Sequence, residues 1–344
     1  MRFFRPFLRD TKVSYVLAFA VLLLMAAGVR RLNAAGHESR NAQDGGPAPQ
    51  SPKPQPQDAH SQDPQNPAPN YDKAIFRKPI PSDQLAFLNL FAASASNDVV
   101  RDKQYRKLVH SVIPDCMFHY GWDMPLADAL EKVLAGSPLP VRIRYGRYVM
   151  ISGRSGPYLS GRGFMWIDRQ DGIALGGFYF HPTNGEPTPT VTIFSKQVKE
   201  KFLRMSQLPT AFSQDLSQWS ADSRVPPVTT RYFITGSNEK ILLEHDEDYC
   251  ALVNNTAAPP RDGCEQMNAD AADIDLDAAY YLEQTNHATN ATAWMIVGQD
   301  QVAWIQVRYA TCRVGPDPLQ CHIRLTRERT HVIINRQPSH PPRM

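Results

Sequence analysis

Three kinds of hydrophobic pattern follow one another along the chain. Residues 13–29 (VSYVLAFAVLLLMAAGV) are apolar and uncharged, with Arg2, Arg5, Arg9 and Lys12 ahead of them and Arg30 and Arg31 behind. The stretch is short for a bilayer span and long for the core of a cleavable signal. The leading positive residues favour a cytoplasmic N-terminus. The expected element is an uncleaved anchor, with residues 1–32 forming a cytoplasmic stub and a single transmembrane helix. A signal cleaved after Ala35 is the rival reading, weakened by Asn33 three residues before the cut. Residues 33–70 then contain no Val, Ile, Leu, Met, Phe, Trp, Tyr or Cys and are rich in Pro and Gln. Such a segment cannot bury enough surface to offset its ordering entropy. Its prolines favour extended polyproline II, rising ~3.1 Å per residue. The expectation is a disordered, semi-rigid stalk.

From Tyr71 the pattern becomes that of a folded protein. Apolar spacing predicts short helices over 85–91 and 105–112. A clearer amphipathic helix is predicted over 126–134 (LADALEKVL), preceded by Pro125 and ended by Gly136. Residues 141–152 alternate like one strand. Strands over 163–168 and 172–180 flank a tight connection at 169–171, and another strand covers 190–195. A helix is expected over 195–205, then strands over 229–235 and 240–245 around Gly236-Ser237-Asn238. Helices followed by consecutive strands predict an α+β domain over 71–245 with an antiparallel sheet. The period then returns to that of helices. Residues 270–284 place Ile274, Ala278, Tyr281 and Leu282 on one face. Residues 292–312 do the same for Val297, Gln301, Trp304, Arg308 and Cys312, and a third helix covers about 320–333. The expected second unit is a small helical domain over 246–336, with a disordered tail at 337–344.

Charge and cysteines add location and exclude some partners. Lys and Arg number 37 against 34 Asp and Glu, a net charge of +3. No excess of positive charge marks a nucleic-acid partner. Four of the five Cys lie at 250, 264, 312 and 321. In an exported chain these are expected to form disulfides, and the shortest loops pair Cys250 with Cys264 and Cys312 with Cys321. Each bond should contribute ~3 kcal/mol on the loop-entropy account. Neither pair has C-x-x-C spacing, so zinc is not expected, nor is any other metal or cofactor. Residues 244–284 hold eleven acidic side chains and one basic one, whereas 301–344 hold seven Arg and only Asp317 and Glu328. An acidic face would attract a basic protein. Local cancellation between the acidic and the Arg-rich helices is the plainer reading, with Arg308 as an ion-pair partner.

Candidate catalytic groups are sparse. His181, Asn184 and Glu186 lie in a Pro-rich loop; His and Glu can serve as acid and base or bind a metal, but that composition is also ordinary turn chemistry. An envelope hydrolase built on His181 and Glu186 is therefore the alternative, and a structural assembly component is a third reading. The Gly-rich stretch 153–163 lacks the Lys of a phosphate loop, and no G-x-S-x-G occurs. Cys116 near His119 has no surrounding nucleophile signature. Residues 245–248 lack the Gly and distal Glu of a calcium loop. They leave Asp246, Glu247 and Asp248 as an acidic run and a candidate partner contact.

One set of residues carries a family resemblance. Gln301-x-x-Trp304-x-x-x-Arg308-x-x-x-Cys312, followed by Cys321-x-x-x-Leu325-Thr326-x-x-Arg329-Thr330, resembles the second half of the LprI-type lysozyme-inhibitor domain. Cys250 and Cys264, with Asp275-Leu276-Asp277 and Ala279-Tyr280, are similar to its first half. The match covers about 248–335. Two departures stand out: Tyr309 occupies the place of the family's acidic residue, and the lipid-anchored Cys is missing. The resemblance implies a secreted, cysteine-bearing helical module without enzymatic activity, whose partner is lysozyme or a cell-wall glycan. The combined expectation is a single-pass protein of the inner, cytoplasmic membrane with its folded part in the periplasm or extracytoplasmic space.

Overall fold

Tyr145 and Gly146 interrupt what the alternation presents as one strand. The structure, a computed structural model, describes residues 71–336 apart from 120–121, 156–160, 181–188, 254–260 and 288–289. At Tyr145 and Gly146 φ is 54° and 62°, and the Arg147 N–H donates to the Arg144 carbonyl at 3.1 Å. Two successive positive φ values give the mirror-image turn whose twist suits a hairpin. The expected single strand is therefore two. The expected anchor at 13–29, the linker at 33–70, the tail at 337–344 and the loop with His181, Asn184 and Glu186 all lie outside the described residues. No helix among the described residues is long and apolar enough to cross a membrane.

After a short 3-10 turn at Lys73–Ile75 come a 3-10 helix at Ser82–Phe91, α1 at Ser96–Arg101 and α2 at Lys103–Val112. Asp102 caps α2 by accepting from the N–H groups of Gln104 and Tyr105. A small hairpin, β1 (Met117–His119) and β2 (Asp123–Pro125), leads into α3 (Leu126–Gly136). Then come β3 (Ser137–Pro138), β4 (Arg142–Arg144), β5 (Tyr148–Arg154), β6 (Arg162–Asp168), β7 (Ile173–Phe180) and β8 (Thr190–Phe194). After β9 (Leu203–Arg204) follow α4 (Thr210–Ser223), β10 (Arg231–Ile234) and β11 (Lys240–Glu244). The main sheet runs β3-β5-β6-β7-β8-β10-β11-β9, with β4 also on β5.

The sheet is mixed, not antiparallel as expected. β5 to β8 pair antiparallel, but β10 runs parallel to β8 and β9 parallel to β11. A parallel pair needs a long crossover, and α4 lies in the one between β8 and β10. The sequence pattern placed a helix at 195–205; that stretch holds turns and β9 instead. The helix lies further on, where Phe212, Leu216 and Trp219 are buried at spacings of four and three. It ends at Arg224, whose φ of 56° turns the chain out of the helix.

The central strands are buried on both sides. Met165, Ile167, Ala174 and Phe178 face the helices before the sheet, whereas Phe164, Trp166, Leu175 and Ile193 face Phe212, Leu216 and Trp219 of α4. This double cover explains why β6 and β7 read as nearly continuous apolar runs. Gly177 sits where an added Cβ would come within 2.4 Å of the Phe164 ring.

The C-terminal helices dock on the same sheet. α5 (Tyr249–Val253) precedes α6 (Arg261–Asn286), α7 (Ala291–Cys312) and α8 (Pro318–Arg336). Leu276, Ala279 and Leu282 of α6, with Ile333 of α8, share a hydrophobic cluster with Tyr232 of β10 and Leu242 of β11. The chain is thus α+β, with helices on both faces of the sheet and a helical C-terminal region joined to it through a common core.

Candidate functional site

The face of α7 that helical spacing singles out turns inward. Gln301 and Cys312 are buried, and Val297, Trp304 and Arg308 are half-buried. Cys312 is bonded to Cys321 at the start of α8, with Sγ–Sγ 2.04 Å, and Cys250 to Cys264, with 1.94 Å. Both pairings are the short-loop ones.

The residues singled out on α7 and α8 meet. Two guanidinium groups lie over the Trp304 ring, Arg308 4.9 Å and Arg329 5.7 Å from its centre. Such stacking favours the cations most when they are partly desolvated. Arg308 also donates to Thr326 Oγ1 at 2.7 Å and to Asp273 of α6 at 2.8 Å. Asp273 bonds His322 at 2.9 Å as well. Arg329 donates to Gln301 Oε1 at 3.2 Å and to Asp300 at 2.7 Å. The bond from Arg329 holds the Asp300 carboxyl below the usual carboxylate range. Gln301, Trp304, Arg308, Thr326 and Arg329 therefore form one polar network that ties α7 and α8 together and reaches α6. Leu325 is half-buried on α8 and takes no part in those bonds.

The acidic run at 246–248 is spoken for locally. Asp246 accepts from the Ser206 N–H at 2.9 Å and from the Ser206 hydroxyl. Glu247 pairs with Arg231 at 2.6 Å; burial opposes its charge, but Arg231 outweighs that and lowers its pKa. Asp248, the one exposed member, accepts from Asn268 Nδ2 at 2.9 Å and the Cys250 N–H at 3.0 Å, and the Asn268 bond helps keep its pKa low. A second acidic stripe lies along α6. Asp270, Asp273 and Asp277 share one helical face; Asp270 and Asp277 are exposed, and Asp273 is half-buried.

The junction between sheet and helices contains a pair that sequence reasoning missed. His245 is fully buried. Its Nδ1 lies 2.7 Å from Asp275 Oδ1, and its backbone N–H donates to Asp275 Oδ2 at 2.7 Å. Next to it Glu244 bonds His331 of α8 at 2.8 Å and Arg204 at 3.2 Å. A signal existed: Asp275 sits beside Ala271, Ala272, Leu276 and Ala279 on the inward face of α6, where a carboxylate requires a partner.

The remaining candidates are less suited to chemistry. Burial, then Asp115, pushes the Cys116 thiol up to about 11, the reverse of what a thiolate nucleophile needs. His119 bonds Asp123 at 2.8 Å on the exposed hairpin. Among the described residues no group of three His, Cys, Asp or Glu side chains is placed to hold a metal ion. No protein-family model, curated protein or solved structure matches the chain.

Proposed function

We propose that the chain is a non-enzymatic protein of the bacterial cell envelope, tethered by residues 13–29, whose C-terminal helices form an LprI-like module that binds a cationic protein. Lysozyme is the partner the resemblance names. The observation that carries the reading is the meeting of Gln301, Trp304, Arg308, Thr326 and Arg329 around one disulfide-closed helix pair. Residues whose spacing suggests a family motif are interlocked as a motif of one module would be. Two disulfides support an oxidising compartment. The exposed carboxylates of Asp270 and Asp277 on α6 supply a surface of the right sign for a basic partner.

The test is binding and inhibition of lysozyme by the full-length protein. The expected result is inhibition that weakens steeply with salt and falls about tenfold in Asp270→Asn/Asp277→Asn, a loss on the order of 1.4 kcal/mol. No binding at tens of micromolar in low salt would overturn the lysozyme reading. Binding untouched by the double variant would remove the acidic stripe from it.

A further inference from the structure

α7 has a second face, and none of the described elements covers it. Ala291, Met295, Gly298, Val302, Ile305 and Tyr309 follow one another at alternating spacings of four and three. Met295, Val302 and Tyr309 recur every seventh residue, as do Ala291, Gly298 and Ile305. That is the repeat of a helix-to-helix seam. The seam lies beside the inward face of Gln301, Trp304 and Arg308 without overlapping it. With Trp294, its four largest side chains are 43–68% exposed. Next to Gly298 the helix borders a groove of about 420 Å³ against Tyr280 and Gln284 of α6. A Cβ on Gly298 would stand 3.4 Å from the Tyr280 hydroxyl.

We propose that this seam is the self-association surface of the protein: α7 of a second copy packs against it, antiparallel, about a two-fold axis. Three observations select a second copy. First, a seven-residue repeat fits a partner helix rather than an extended peptide. An interfacial helix would also carry free Lys or Arg, and the one basic residue of α7, Arg308, is bonded to Asp273. Second, the seam is complementary to itself. Antiparallel packing sets Ala291 against the partner's Tyr309, Gly298 against the partner's Val302 and Met295 against the partner's Ile305. The two smallest residues thereby face larger ones. The two charges of α7, Asp300 and Arg308, are both paired within the chain, so nothing charged is stranded in the contact. Third, the area fits a modest dimer. Trp294 and Tyr309, aromatic side chains of roughly 150–250 Å² each and about half to two-thirds exposed, together with the smaller Met295, Val302 and Ile305 present on the order of 500 Å² per copy. Two copies would bury ~1,000 Å², near the lower bound of a specific interface.

The experiment is sedimentation equilibrium of the full-length protein in density-matched detergent. The wild type should show a monomer–dimer equilibrium with a dissociation constant on the order of 10 µM. Val302→Asp/Ile305→Arg should weaken it at least tenfold, with its helical circular dichroism unchanged and, at concentrations well below the dissociation constant, its melting midpoint unchanged too. Val332→Asp, an exposed apolar position on α8, should dimerise like the wild type. Should the charged double variant fail to fold, Gly298→Leu, which blocks close approach without adding charge, should also weaken the dimer. A wild type that stays monomeric at 100 µM overturns the proposal. So does a dimer that survives both seam variants, as one held by the N-terminal segment would, or a dimer lost equally in Val332→Asp.

Discussion

The central strands and α7 contain similar proportions of apolar residues and use them differently. In β6 and β7 nearly every side chain is buried, because α1 to α3 lie over one face and α4 over the other. In α7 only Gln301 and Cys312 are buried, while Trp294, Met295, Ile296, Val302 and Ile305 remain exposed. The residues that α7 turns inward are held by hydrogen bonds, a disulfide and stacked arginines more than by greasy packing. The contrast teaches that hydrophobic content says how much surface wants cover, while topology says what covers it.

That contrast can be broken where it is widest. Trp219 on α4 is buried against Phe164, 4.7 Å between ring centres. Trp219→Ala should destabilise the fold by ~3–5 kcal/mol in urea titration, whereas Ile305→Ala on α7 should fall within ~0.5 kcal/mol. Comparable losses at protein concentrations too low for self-association would mean that another part of the chain covers α7.

The disulfides sharpen the comparison next. Removing the Cys312–Cys321 bond as a double Ser variant should destabilise by ~2–4 kcal/mol. Hydrogen exchange should accelerate in α7 and α8 well before β5 to β7, whose protection comes from packing. Uniform acceleration through the sheet would show that the two regions unfold as one unit.

The smallest effect concerns acid. The folded pKa of Asp300 is depressed, chiefly by the bond from Arg329. Its stabilising contribution is therefore present above the ordinary carboxylate pKa, near ~4, and is lost as pH falls through the lower folded value. Because the Asp300 side chain is 48% exposed, Asp300→Asn should be weaker than wild type by less than ~1 kcal/mol at pH 7. The two should converge at low pH. Urea midpoints at neutral and acid pH read the difference; a gap that persists at low pH would mean that the pair acts through packing instead.

Much of the architecture was legible because local physics set it. The helix at Leu126–Gly136 follows from its amphipathic spacing and its Pro and Gly boundaries, and the long C-terminal helices from their inward stripes. The strands at β6 and β7 follow from runs of β-formers around a turn in which Asp168 accepts from the N–H groups of Gln170 and Asp171. The turn at Tyr145-Gly146 was missed because apolar alternation continues straight through it. α4 was missed because a helix with three buried apolar side chains in two turns gives a faint period. The network around Trp304 was half legible: spacing put Gln301, Trp304 and Arg308 on one face, but Asp273 and Asp300 became partners in it only through the approach of α6 and α8.

The amino-acid sequence by itself determined the helix at Leu126–Gly136, the strands β6 and β7, the long C-terminal helices, the face that α7 turns inward and the short-loop cysteine pairing. Those depend on spacings of a few residues and on loops that close cheaply. Only the tertiary structure decided that β8 and β10 run parallel, that the sheet and the C-terminal helices share a core, that His245 meets Asp275, and that among the described residues nothing covers one face of α7. These are contacts between segments far apart in the chain, and no local period records which segments will meet.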